Sequence, residues 1–176
     1  KARIDSGIAY MISRQALAFY SYRNGQELMA FSIYLRTGGP NQAGAKAAFD
    51  AAFDEGMAKV ALVAPGVLST PPNVANWGGF FNYNDATGTD ASTNQFMMSG
   101  LAAARSIYGS GGYLPDAARF ARLEAVTARS AQRYLAVAAS DGLSATERGI
   151  GYNIINRSLQ QTASGAWILQ VGGHTL

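Results

Sequence analysis

The chain opens on short stretches in which aromatic and branched residues crowd between polar ones. Residues 8–13 and 17–23, with Tyr10, Phe19, Tyr20 and Tyr22, read as two strands joined at Arg14-Gln15. Asn24-Gly25 is a hairpin signal, because both residues accept the positive φ of a tight turn. The run LMAFSIYL over 28–35 then reads as a third strand of a meander. After a polar loop at 37–43 the period changes. Phe49, Phe53 and Met57 fall at i, i+4, i+8 in an Ala-rich run and predict a helix over 44–59. The apolar run 60–68 reads as a strand broken by Pro65-Gly66.

Helices are predicted over 94–108, 116–139 and 144–161. Gly109 to Tyr113 (GSGGY) stops the first, and Pro115 and Asp116 suit the first turn of the second. WILQV at 167–171 reads as a last short strand. Strands first and helices after predict one α+β domain over 1–176, with antiparallel N-terminal strands and a mostly helical second half around a long central helix. The segment 69–92 has no period, yet holds Trp77, Phe80, Phe81 and Tyr83. It reads either as a tucked surface loop or as the wall of a cleft that stacks a flat ligand.

Composition narrows the chemistry. Of 176 residues, 48% are hydrophobic and only 14% charged, against the ~25% usual for globular domains. Disordered chains and coiled coils are excluded. Cysteine is absent, which removes disulfide frameworks, thiol nucleophiles and Cys-ligated zinc. The one histidine, His174, sits two residues from the end, a poor place for a Ser-His-Asp apparatus. The acidic residues show no calcium-loop spacing, so neither metal nor cofactor is expected. No apolar run reaches ~18 residues, so no membrane span is expected. The first residue, Lys1, suits a processed product or a domain lacking an N-terminal portion.

Net charge is +3, and its placement says more than its sum. On the predicted long helix Arg119, Arg122, Arg129 and Arg133 fall within an arc of about 80°. Phe120, Leu123, Thr127, Ala131 and Tyr134 fall on a separate arc. The stripe reads as a solvated face or as a phosphate-binding one, since guanidinium offers planar donors to phosphate oxygens. Gly109 to Gly112 ahead of a helix could cradle phosphate, but no Lys follows at P-loop spacing, and a plain helix break explains it as well.

Three segments, taken in order, resemble the ribosome-inactivating proteins, the rRNA N-glycosidases that include the ricin and Shiga toxin A chains. ISRQALAFYSYRNG at 12–25 looks like the family's strand hairpin ending in Tyr-Arg before a Gly turn. GGYLPDAARFARLEAVTARSAQRY at 111–134 is similar to its Gly-Gly, Leu-Pro and long central helix. YNIINRSLQQTASGAW at 152–167 looks like its late helix. The resemblance implies an α+β fold, secretion, and removal of one adenine from a ribosomal RNA loop. It also implies a base stacked between aromatic rings, an Arg at the leaving base and a Glu at the sugar.

Carried over by position, the Arg is Arg133, and the Glu three residues earlier is replaced by Ser130, which cannot carry its charge. Glu147 and Glu124 are candidates for a substitute acid. The first stacking Tyr falls at Ala18, beside Phe19 and Tyr20, the second near Trp77, and the wall Trp at Tyr152. A rival register reads Asp116-Ala117-Ala118-Arg119-Phe120 as the acid–Arg motif. Three functions therefore stand side by side. One is an N-glycosidase using Arg133 with Glu147 or Ser130, and Trp77, Tyr152 and Tyr20 against the base. Another is a non-catalytic RNA- or nucleotide-binding relative with Arg122 and Arg129 on phosphates. The last is an interaction module paired with a second chain or buried in an assembly, which the low charge suits.

Overall fold

A helix with glycines and small polar residues on its buried side hides its period from a hydrophobicity reading, and this is what the N-terminal half does. The computed structural model describes residues 2–15, 17–59, 81–84, 90–139, 150 and 158–173. Every regular element among them is a helix: α1 (Ala2–Ser13), α2 (Ser21–Thr37), α3 (Gln42–Lys59), α4 (Ala91–Tyr108), α5 (Ala117–Ala139) and α6 (Leu159–Val171).

The expected α+β class is therefore corrected to all-α. Residues 8–13 lie in α1, 28–35 in α2 and 167–171 in α6, while 17–20 precede α2 as irregular chain. The buried residues of α2 are Ser21, Asn24, Gly25, Glu27, Leu28, Phe31, Ser32, Tyr34 and Leu35. That spacing is helical, but five of the nine are polar or glycine, so the aromatic residues between them imitate strand alternation. The predicted helices at 44–59, 94–108 and 116–139 correspond to α3, α4 and α5. The strand expected at 60–68 and most of the helix expected at 144–161 lie outside the described residues.

The helices are layered around α4, which packs against α2 on one side and against α5 and α6 on the other. α2 and α4 run the same way, since Tyr22 meets Ser92 and Leu28 meets Gly100. α3 returns antiparallel to α4: its Asp50 reaches Tyr108, and its Gly56 faces Met97. Phe49 and Phe53 hold Tyr108 at ring-centroid distances of 5.2 and 5.0 Å. The core runs unbroken from α1's Ile8 to α6's Val171.

Two caps set the site described below. Asp90 caps α4 by accepting from the backbone N–H groups of Ser92 and Thr93 at 2.8 and 3.1 Å. Ser158 caps α6 by accepting from Gln161 N–H at 3.1 Å. No helix among the described residues is long and apolar enough to cross a membrane.

Candidate functional site

The long-helix arginines do not form one open stripe. Arg119 reaches across to α3, pairing with Asp54 at 2.6 Å, and turns back on Asp116 at 2.8 Å. Arg122 is exposed and pairs with the same Asp54 at 3.2 Å. Bonding to Asp54 leads the causes that hold Arg119 above its ordinary range, and the backbone N–H of Arg119 leads those that hold Asp116 below its own. This end of α5 is thus a clamp onto α3. Arg129 is half-buried, and Arg133 is fully buried. Burial, then the charge of Arg129, pulls Arg133 below its ordinary range. It follows Ser130 by one helical turn on α5.

Ser130 belongs to a buried polar knot centred on Asn94 in the first turn of α4. The Asn94 amide donates to Ser130 Oγ at 3.0 Å and to the Tyr134 hydroxyl at 3.3 Å, and its oxygen accepts from Phe81 N–H at 3.1 Å. Thr93 Oγ1 donates to the Phe81 carbonyl at 2.8 Å. Burial drives the Tyr134 phenol well above its ordinary range, so it stays protonated. Three valences of one amide are met, which is what a buried Asn requires.

On the other side of the same α4 turn stands a group of tyrosines. The Tyr20, Tyr22 and Tyr83 ring centroids lie 5.7, 6.2 and 5.7 Å apart, and Phe96 sits 4.7 Å from Tyr22. The backbone builds this arrangement. Ser21 N–H, an orphan donor of α2's first turn, finds the Tyr83 carbonyl at 3.0 Å and so ties residues 81–84 to α2. Tyr20 N–H donates to Asn24 Oδ1 at 3.1 Å. The Ser92 hydroxyl donates its one proton to Asp90, so the 2.7 Å bond between Tyr22 and Ser92 is donated by Tyr22. The rings are inclined at 35–49° to each other, so none is stacked face to face on its neighbour. Tyr20 remains 40% exposed at the edge.

Behind the tyrosines, Arg23 lies between Glu27 at 3.5 Å and Glu55 at 3.6 Å, and Asn24 donates to Glu55 at 2.7 Å. Glu27 is nearly buried. Burial raises its carboxyl above the usual range against the pull of Arg23 and a bond from Gln15, with Glu55 adding to the rise. The sign of the pH dependence follows. A carboxyl raised on folding contributes stability that is full below its ordinary value, about 4.3, and is lost as pH rises through the raised one. Glu27→Gln should therefore gain in urea midpoint over the parent at pH 7, by more than at pH 4. A gap that shrinks toward neutral pH would contradict the assignment.

Of the residues that sequence reasoning marked, Ser130 meets Asn94, with Arg133 buried one turn further along α5, and Tyr20 joins Tyr22 and Tyr83. Arg122 lies apart from both groups. Trp77, Glu147 and Tyr152 lie outside the described residues. Tyr22, Ser92, Asn94 and Phe96 were missed as site residues; Tyr83 had a signal in the aromatic run of 69–92. No group of three or more metal-ligating side chains occurs among the described residues. Compared with known protein families, curated proteins and solved structures, the chain matches none.

Proposed function

We propose that this domain binds a flat ring, a nucleobase of single-stranded RNA, on the tyrosine face at the head of α2 and α4. The observation that carries the reading is the trio of inclined tyrosine rings with Tyr20 at its exposed edge. Aromatic faces stack any base, and phenols offer rigid contact area at low entropic cost. Arg122 is already countered by Asp54, so stacking rather than phosphate contact dominates. Binding is expected to depend only weakly on salt, and Arg122→Ala to leave it unchanged.

The test is anisotropy of a labelled oligoadenylate. Tyr20→Ala is expected to weaken binding about 5- to 150-fold, at ~1–3 kcal/mol per stacked base, while Tyr20→Phe retains it. A Tyr20→Ala protein that binds like the parent would overturn the proposal.

A second reading keeps the adenine-removing chemistry that the resemblance implies. It is favoured by Ser130, one helical turn before Arg133 on α5, bonding to Asn94 two residues from the Ser92 that meets Tyr22. Arg133 would supply the cation at the leaving base and Glu147 the acid. Free adenine released from ribosomes, and lost in Arg133→Ala, is its expected result. No release from the parent protein removes this reading and leaves the binding one.

A further inference from the structure

A second opening lies at the far end of the α2–α4 pair, a helix length from the tyrosines. It is a cleft of about 660 Å³ whose lining includes Arg36, Arg105, Ser110, Gly111, Tyr113 and Phe120. Its electrostatics begin with the end of α4. A helix C-terminus is ordinarily negative because its last carbonyls lack donors, and an arginine there usually answers that charge. Here the loop answers it instead. Gly109, Tyr113, Leu114 and Asp116 donate their N–H groups to the carbonyls of Arg105, Ser106, Ile107 and Tyr108, at 2.9–3.1 Å.

Arg105 is thereby released from the helix end. Its Nε turns to Glu124 at 2.7 Å and its Nη2 to Thr127 at 3.3 Å, and Nη1 makes no hydrogen bond among the described residues. Arg36, in the last turn of α2, is exposed and makes neither an ion pair nor a hydrogen bond among the described residues. No carboxylate lines the cleft among the described residues.

The glycines divide in the same sense. A Cβ on Gly112 would stand 2.5 Å from the Ile107 carbonyl oxygen and one on Gly109 2.9 Å from that of Arg105, so the cap itself needs both. A Cβ on Gly111 would meet nothing within 4 Å, so packing does not explain that glycine. It leaves the cleft floor open beside Ser110. Tyr113 is 49% exposed and offers a ring face there.

We infer that this cleft is a binding site for a phosphate monoester carrying a flat ring, with the phosphate between Arg36 and Arg105 and the ring against Tyr113 and Phe120. Two guanidinium groups from separate helices give the planar donors that phosphate oxygens accept. The inference is independent of the tyrosine face, and Tyr20→Ala is expected to leave it intact.

The experiment is calorimetric titration at low ionic strength with phenyl phosphate, inorganic phosphate and phenol. Phenyl phosphate is expected to bind with a Kd of about a millimolar or tighter, ahead of both fragments. Arg36→Gln is expected to weaken it about tenfold or more, one charge-assisted contact being worth ~1.5–3 kcal/mol. Tyr113→Ala should reduce phenyl phosphate to the affinity of inorganic phosphate. Glu124→Gln, which frees the Arg105 Nε, should tighten both anions. Arg36 and Tyr113 are exposed, so an unchanged melting curve verifies the fold of each variant. No phenyl phosphate binding at about 10 mM, or binding unaltered by Arg36→Gln, would overturn the inference.

Discussion

Gly25→Ala is expected to destabilise the domain by about 3 kcal/mol or more, at the upper end of overpacking costs, although alanine is the better helix former by ~1 kcal/mol. The reason is the contact between α2 and α4. A Cβ on Gly25 would overlap the backbone carbonyl of Phe96, and one on Gly100 would stand 2.7 Å from the Gly25 carbonyl oxygen. Two backbones meet there with no side chain between them, so no rotamer change can relieve the overlap. The helices must separate along the whole seam that carries Leu28, Met97 and Leu101. Since domains are stable by only ~5–15 kcal/mol, a loss of that size is readily seen in a urea melt. A midpoint equal to the parent's would mean that the two helices do not cross at Gly25.

The second large effect is Asn94→Leu. The size is nearly kept and the polarity removed, which leaves Phe81 N–H, Ser130 Oγ and the Tyr134 hydroxyl each short of a bond inside the core. At ~1–3 kcal/mol per buried group left unmet, the expected loss over the three is about 3 kcal/mol or more. The substitution also removes one of the two bonds that tie residue 81 to α4, leaving only Thr93 Oγ1 on the Phe81 carbonyl, and so loosens the neighbouring Tyr83. Oligoadenylate binding should therefore fall even under conditions where the variant remains folded. Asn94→Leu with full stability would show that the knot is not closed by this amide.

The same residues explain what the sequence could and could not reveal. Asn24-Gly25 carries the strongest local turn signal in the chain, yet both residues lie inside α2. Gly25 is there to admit α4, and Asn24 holds Tyr20 N–H with one end of its amide and Glu55 with the other. Neither demand leaves a mark on local periodicity. Where the buried side is aliphatic and aromatic, as at Phe49, Phe53 and Met57 of α3, the helix was legible. Where it is Ser21, Asn24, Gly25 and Ser32, it imitated a strand.

The site was legible in the same uneven way. Ser130 and Arg133 were marked as a pair by the resemblance alone, and the bond of Ser130 to Asn94 depends on α4, which the sequence cannot place. The arginine stripe is geometry on one helix, and the partners of its members come from another. Asp54, supplied by α3, takes up both Arg119 and Arg122. The tyrosine face joins residues 20, 22 and 83, more than 60 positions apart, through one bond from Ser21 N–H to the Tyr83 carbonyl. Only the fold brings them together.

The proposed function requires Tyr20, Tyr22 and Tyr83 to take a flat ring together. The most direct measurement is an NMR titration of the tyrosine ring protons with adenosine. Ring-current shifts are expected to appear together on Tyr20, Tyr22 and Tyr83 and to saturate with one midpoint, leaving Tyr108 and Tyr134 in the core unmoved. No shift at saturating adenosine, or shifts confined to tyrosines outside the trio, would contradict it.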